Sequence, residues 1–268
     1  MKRNEVKARL KRGEPSIGSW LSIPSPFSAE CMCRLGFDWL VIDMEHNPIS
    51  IETAALMTSS MFGSSTAPLV RIPWNTGENI KRVLDMGAWG IVVPMVKTRE
   101  EAERVVREAK YSPEGGRSVG GRRHAMGFSS EPSTYYAQAN DEILVVVQIE
   151  HIEAIRNLGD ILSVPGIDAC FIGPNDLMSS MGLRPQMTSE EPTVIEAIER
   201  VRTTAKKYGV ASGIHVSDAE TANARIAEGF QFIAIGSELS FMMNQGQEVL
   251  NGLVNNAVHS YERREIRY

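Results

Sequence analysis

With only Cys31, Cys33 and Cys170 in 268 residues, the chain cannot build a disulfide framework, and all three lie in segments that read as helix or strand. Reduced thiols are expected, and the Cys31/Cys33 pair is not read as a metal site. No apolar run approaches the roughly 20 residues of a membrane span, and the basic segment 1–12 lacks the apolar core of a signal peptide. A formal net charge of −5 comes without any basic stretch suited to a polyanion, so neither nucleic acid nor a membrane is an expected partner. No internal repeat is visible. No G-x-G-x-x-G follows the first strand, and no lysine with Ser/Thr follows the glycines near 115–121 in P-loop spacing. These absences leave an ordinary soluble chain, expected in the cytoplasm, of about the length of one α/β barrel, roughly 250 residues.

What is present is alternation. The run Ile143 to Val147, closed by Gln148, Ile149 and Glu150, is short, apolar and β-branched, the signature of a strand buried on both faces of a parallel sheet. Similar strands are predicted at 16–21, 39–43, 68–72, 89–93, 169–172, 210–214 and 232–235. Between them, helical patterns span 24–36, 51–62, 78–86, 99–110, 153–158, 192–208, 219–227 and 237–260, several ended by glycine. The Gly/Arg-rich stretch 112–127 has no periodicity and reads as a long loop. Eight strands alternating with eight helices predict a (β/α)8 TIM barrel filling residues 1–268 as one domain; an open Rossmann or flavodoxin-like sheet would stop at five or six strands.

Barrel chemistry is built at the carboxyl ends of the strands. In this register Trp20, Asp43, Glu45, His46, Arg71, Glu150, Asn175 and Asp176 share one mouth. Glu150 and Asp176 follow neighbouring strands, and two carboxylates completed by water and substrate oxygens suit Mg²⁺ or Mn²⁺ rather than structural zinc; as helix caps they would need no ion. His46, close to carboxylates, is a candidate general base or a loop residue bonded to backbone. Arg71 ends a buried strand and needs an anion, either a substrate carboxylate or Glu45. Gly173-Pro174-Asn175-Asp176 turns a strand into a short helix with free backbone N–H groups. Asp85, late in its helix, reads by itself as solvated. Arg117, Arg122, Arg123 and His124 could fold over an acidic ligand or lie at a subunit contact. Met178, Met181, Met187, Met242 and Met243 are expected to pack, and the charged tail 262–267 to be solvated or at an interface.

Taken together, Phe37-Asp38-Trp39-Leu40-Val41-Ile42-Asp43-Met44-Glu45-His46, Val70-Arg71, Leu84-Asp85-Met86-Gly87-Ala88, Val93-Pro94-Met95-Val96, Val147-Gln148-Ile149-Glu150 and Phe171-Ile172-Gly173-Pro174-Asn175-Asp176-Leu177 resemble, in order, the blocks of the metal-dependent class II pyruvate aldolases of the HpcH/HpaI family. The resemblance runs from about Ile17 to Leu239. It implies a lyase that reversibly cleaves a 4-hydroxy-2-oxo acid to pyruvate and an aldehyde. It also implies a divalent cation, Mg²⁺ or Mn²⁺ with Co²⁺ admitted, on Glu150 and Asp176. Arg71 would stabilise the enolate, and His46, helped by Asp85 and Asp43, would move the hydroxyl proton through water. Trp20, Gln148, Gly173, Pro174, Asn175 and Arg123 would line the substrate pocket. The resemblance further implies a homo-oligomer, commonly a hexamer, with the last helix, from Ser237 onward, packed on or exchanged with a neighbouring subunit. The chain departs from the pattern at Gly121-Arg122-Arg123-His124, where many members carry small residues; added cations there suit an acidic or phosphorylated aldehyde, or a neighbouring subunit.

Other readings compete. Lys97, just beyond a predicted strand end, could form a Schiff base with a keto acid. A related barrel lyase acting on an acyl-CoA or another 2-oxo acid, or a barrel that binds a keto acid or an acyl-CoA without turning it over, would show the same carboxylates.

Overall fold

The alternation of β-branched runs with helical segments closes, in the computed structural model, into a barrel of eight parallel strands that follow one another around the barrel in sequence order. Residues 1–253 are described. The strands are β1 (Ser16–Leu21), β2 (Trp39–Asp43), β3 (Ala67–Arg71), β4 (Gly90–Val93), β5 (Leu144–Gln148), β6 (Ala169–Ile172), β7 (Ala211–Val216) and β8 (Phe232–Ser237). Helix α1 (Glu5–Lys11) precedes the barrel, and α2 (Pro26–Met32), α3 (Ile51–Ser60), α4 (Gly77–Asp85) and α5 (Arg99–Ala109) return the chain after β1 to β4. Helices α6 (Arg123–Gly127) and α7 (Pro132–Glu142) fill the approach to β5. Then α8 (Ile152–Arg156) and α9 (Leu158–Leu162) follow β5, α10 (Pro174–Ser180) and α11 (Pro192–Tyr208) follow β6, α12 (Ala219–Glu228) follows β7, and α13 (Glu238–Asn251) follows β8.

The strands are apolar throughout because both of their faces are covered, helices outside and packed side chains within. Inside, Trp39 stacks on Phe232 at 4.0 Å between centroids, while Phe171 meets Phe232 and Trp20 edge-on at 5.9 and 5.8 Å. Such aromatic pairs add to the burial of their large surfaces. Gly18 makes this filling possible, since a Cβ there would lie 2.1 Å from the Trp39 ring. Helices start where a side chain accepts from an N–H otherwise left free: Ser50 before α3, Thr76 before α4, Asp218 before α12, and Thr98 with Glu101 as a capping box before α5.

The end where the strands begin is closed by α1. Asn4 donates from Nδ2 to the carbonyls of Trp89 and Glu142, and the buried Lys7 ammonium donates to Ile143 O at 2.7 Å and pairs with Asp168 at 3.0 Å. Four helices were not expected from the pattern: α1, α6, α7 and α9, the last a five-residue turn with no side-chain cap at Asn157 to mark its start. Each has a physical reason. The seven residues of α1 bury Lys7 beside Val6, Ala8 and Leu10, so its inner face is not purely apolar. Helix α6 is one short turn inside the predicted loop, and α7 buries only Tyr135 and Ala139, too few to mark a stripe. The predicted last helix is seen as α13, ending at Asn251; its expected continuation to 260 and the tail 262–267 lie outside the described residues. Met178 packs as expected, whereas Met242 and Met243 are exposed at 56% and 46%. Among the described residues no helix is long and apolar enough to cross a membrane.

Candidate active site

Because all eight strands run the same way, the polar residues that end them meet at one face. Trp20, Asp43, His46, Arg71, Gln148, Glu150, Gly173, Pro174, Asn175 and Asp176 line a single cavity of about 260 Å³ there, together with Ser22, Phe171, His215 and Ser237.

Arg71 is the best-held of these groups. Its Nε and Nη2 donate to the two Asp43 oxygens at 2.8 Å each, its Nη1 lies 3.1 Å from Glu45, and its guanidinium sits 4.4 Å from the Trp20 ring centroid. The fork geometry of a guanidinium fits one carboxylate with two parallel bonds. Glu45, the alternative weighed against a substrate anion, is thus a real partner, and Asp43 a closer one. Of the five guanidinium N–H groups, the Asp43 fork occupies two, one on Nε and one on Nη2. Glu45 faces Nη1 as an ion pair without a directed hydrogen bond, so the N–H groups of Nη1 and the second one of Nη2 are left for something else.

Asp43 also accepts from the backbone N–H of Glu45 and His46 at 3.1 and 3.4 Å and from the Asn47 amide at 2.6 Å. It therefore shapes the loop that carries His46 without bonding to the imidazole. The His46 side chain is exposed, with Nε2 3.6 Å from Glu45.

Glu150 is almost fully buried beyond the end of β5. Its Oε1 accepts from Met95 N–H at 2.8 Å and its Oε2 from the Gln148 amide at 2.8 Å. Two close approaches make the niche. Met95 holds a left-handed φ of 55°, rare for a non-glycine, and Gly173 passes so near that a Cβ there would lie 2.5 Å from Oε2. Burial pushes the Glu150 carboxyl up to about 8; Met95 and Arg71 oppose the shift, and the charges of Asp176 and Glu45 add to it. Burial likewise raises Glu45 against the pull of Arg71.

Asp85, Arg123 and Lys97 are not brought to this cavity. Helix α4 runs against the strands, so its last residue, Asp85, lies at the face where β4 starts. There it pairs at 2.6 Å with the buried Arg117. Arg123 donates to the carbonyls of Met86 and Ala55, and His124 is enclosed between Tyr135 and Tyr136 at 4.3 and 5.3 Å. The 121–124 departure therefore builds the opposite face of the barrel and does not cover the mouth of its own chain. Lys97 pairs with Glu153 at 3.7 Å at the rim.

The sequence pattern missed His215, Ser22, Phe171 and Ser237. His215 had the same signal as His46, a polar residue ending an apolar strand, but the seventh strand was expected to stop at 214 and instead runs to Val216. Ser22 and Ser237 are drawn together by Glu238, whose buried carboxylate accepts from the N–H of Ser22 and Ile23 at 2.7 Å each.

Residues 16–245 match the sequence model of the HpcH/HpaI aldolase/citrate lyase family. The chain belongs to that family. The hydroxypyruvate/pyruvate aldolase of Rhizorhabdus wittichii is 37% identical over 92% of this chain and 97% of its own. The 4-hydroxy-2-oxo-heptane-1,7-dioate aldolase of Shigella sonnei is 38% identical over 89% of this chain and 90% of its own. A crystal structure of an HpcH/HpaI aldolase/citrate lyase family protein from Burkholderia cenocepacia superposes with a TM-score of 0.86 at 32% identity, over 92% of this chain and 98% of that one.

In this HpcH/HpaI protein the cavity suits a cation on charge. Asp43, Glu45, Glu150 and Asp176 act on the single guanidinium of Arg71 or on one another, an excess of negative charge that adds to burial in raising Glu150 and Glu45. Gln148 Oε1 is buried without a partner in the same wall. Among the described residues no three His, Cys, Asp or Glu side chains are grouped to hold a metal alone. Two carboxylates with remaining positions left to water and substrate oxygens match a hard divalent ion.

Proposed function

We propose that this protein is a carbon–carbon lyase that reversibly cleaves a 4-hydroxy-2-oxo acid to pyruvate and an aldehyde. The observation that carries the reading is the single cavity lined by Glu150, Asp176 and Arg71, the last clamped by Asp43. Membership of the family and the names of the curated relatives support the same chemistry.

Glu150 and Asp176 would hold Mg²⁺ or Mn²⁺, with Co²⁺ also admitted, and the ion when bound supplies Lewis acidity toward the oxygens of the 2-oxo acid. Cleavage breaks the bond between C3 and C4. His46, through a water, takes the proton of the C4 hydroxyl; the C4 oxygen becomes the aldehyde carbonyl, and the electron pair of the broken bond moves toward the C2 oxygen as an enolate. The remaining N–H groups of Arg71 stabilise that developing charge, and the Asp43 fork fixes their direction before it appears. Trp20, Gln148, Gly173, Pro174 and Asn175 enclose the keto acid. A proton then returns to C3, giving pyruvate.

Helix α13 exposes Met242, Met243, Val249 and Leu250, and Leu253 follows it exposed. We read this stripe as the surface a second copy covers, in a homo-oligomer with a hexamer favoured. Asp85 and Arg123, on the far face, can serve a mouth only if it belongs to another copy.

The deciding measurement is deuterium incorporation into the methyl group of pyruvate in heavy water, followed by NMR with no aldehyde present. Exchange is expected with Mg²⁺ or Mn²⁺, is lost in EDTA and returns with the metal. Exchange undiminished in EDTA, with borohydride fixing pyruvate to Lys97, would show the Schiff-base mechanism instead. Binding of the keto acid without any exchange would leave a non-catalytic barrel.

A further inference from the structure

Asn47 does not line the cavity, yet its amide holds the carboxylate that holds Arg71. It closes the run Asp43-Met44-Glu45-His46-Asn47 just before Pro48, and a residue that precedes proline is kept to extended backbone. The loop is tied at both ends. Met44 N–H donates to Arg71 O at 3.0 Å, and the buried Ile49 donates its N–H back to Asn47 O at 2.7 Å. From this fixed backbone Asn47 Nδ2 donates to Asp43 Oδ2 at 2.6 Å, the shortest of the bonds that Asp43 accepts.

Asp43 receives five donors. Oδ1 takes Arg71 Nε at 2.8 Å and the N–H groups of Glu45 and His46 at 3.1 and 3.4 Å, while Oδ2 takes Arg71 Nη2 at 2.8 Å and the Asn47 amide. A carboxylate offers roughly four lone-pair sites, so none is left for the His46 imidazole. Asp43 is thus given over to Arg71, and the Asn47 amide completes that arrangement at Oδ2. Without the amide, Oδ2 keeps a lone pair open to a ring N–H of His46 in the same loop. The carboxylate would also turn more freely, because rotation about the Cβ–Cγ bond of an aspartate is soft. Arg71 turns with it. Glu45, 3.1 Å from Nη1, attracts the other end of the guanidinium without a directed bond and does not fix its plane. The amide, held by the backbone of its loop, fixes the plane of the carboxylate and with it the directions of the N–H groups that Arg71 keeps free.

We propose that Asn47 is a positioning residue for enolate formation: its amide braces the Asp43 carboxylate, so that the Arg71 guanidinium is aimed at the C2 oxygen before charge develops there. The assignment rests on the aldolase reading and adds to it a residue outside the cavity.

The test measures deuterium exchange into pyruvate, with no aldehyde present, by the metal-loaded native enzyme and by Asn47→Ala, Asn47→Asp and Asn47→Gln. Alanine removes the donor. Aspartate keeps the shape but, when ionised, cannot donate and sets a second negative charge against Asp43. Glutamine keeps the amide on a longer stem and guards against a folding defect in the other two. In Asn47→Ala kcat is expected to fall roughly 5- to 50-fold, the scale for a misaligned catalytic group, while KM for pyruvate changes by less than about twofold. Asn47→Asp is expected to be slower still, and Asn47→Gln to keep more of the rate than alanine. Mn²⁺ affinity by calorimetry should match the native protein in the alanine and glutamine variants, and urea unfolding should show the fold retained. An Asn47→Ala enzyme that exchanges at the native rate overturns the assignment, as does an Asn47→Asp enzyme no slower than Asn47→Ala, which would make the residue a space-filler. Loss of aldol cleavage with exchange intact overturns it too, since Asn47 would then serve the His46 loop alone. In each of these cases the aldolase reading stands. If the native protein with metal bound exchanges no deuterium, that reading falls and this assignment with it.

Discussion

Asp43 and Arg71 are a buried ion pair with two bonds of 2.8 Å, and that geometry decides how substitutions there should behave. Removing the guanidinium leaves Asp43 charged in a buried place, so Arg71→Ala is expected to cost roughly 3–5 kcal/mol of stability, as when one partner of a buried pair is lost. It should also slow turnover about 10²–10³-fold, the scale for losing an oxyanion donor, while metal binding by calorimetry survives. A fully active Arg71→Ala would sink the enolate role. Glu150→Gln should separate differently. Its carboxyl, raised to about 8 by burial, is neutral at pH 7 without a cation, so glutamine is nearly isosteric with the form already there. Gln148 can turn its unpartnered Oε1 toward the new amide. Stability by urea unfolding should change by less than about 1 kcal/mol, while metal binding and pyruvate exchange both disappear. Metal bound as tightly as in the native protein would remove Glu150 from the ligand set.

At the scale of elements, α13 carries the clearest unfinished surface. Val249 and Leu250, exposed at 59% and 45%, lie two helical turns after Met242 and Met243, and Leu253, exposed at 52%, follows the end of the helix. Apolar stripes of this kind mark contacts with other chains more often than free surface. Met243→Glu with Leu250→Glu is expected to lower the assembly size in light scattering, with far-UV circular dichroism of the barrel retained; an unchanged mass would place the interface elsewhere. The strands themselves were readable because burial on both faces leaves only apolar residues, as in Leu144 to Val147, each wholly enclosed. Arg71, Glu150 and Asp176 were readable for a related reason, each being a charge that follows an apolar run. The place of Asp85 was not, because it depends on the direction of α4 relative to the strands and not on its own neighbours. Nor was the basic stretch at 117–124: its charges look like a ligand site in sequence, but Arg117 spends its charge on Asp85 and Tyr135 inside the fold. His215 was lost to a strand boundary two residues too short.

For the whole molecule, the closed end of the barrel joins distant parts of the chain through two buried lysines. Lys7 of α1 reaches Ile143 and Asp168, and Lys110, just past α5, donates to the carbonyl of Asn140 in α7. Burial and the neighbouring Lys7 push Lys110 down to about 8, against Asp168 and Glu114, from 10.5 for a free lysine. Below pH 8 the amine is charged in both folded and unfolded chains, and the burial cost is paid in full. Between about 8 and 10.5 the unfolded chain still holds a proton that the folded chain has released. The unfolded state then binds more protons, so stability rises with pH, by up to roughly 3 kcal/mol for this group. The Tyr111 hydroxyl, raised by burial, pulls the other way above pH 10, which confines the useful window to pH 8–10. Urea unfolding is thus expected to show stability climbing across that window in the native protein and a flatter profile in Lys110→Met, which has no proton to release. Parallel profiles would mean that Lys110 keeps an ordinary pKa, and that the closed end of the barrel holds its charge without strain on the fold.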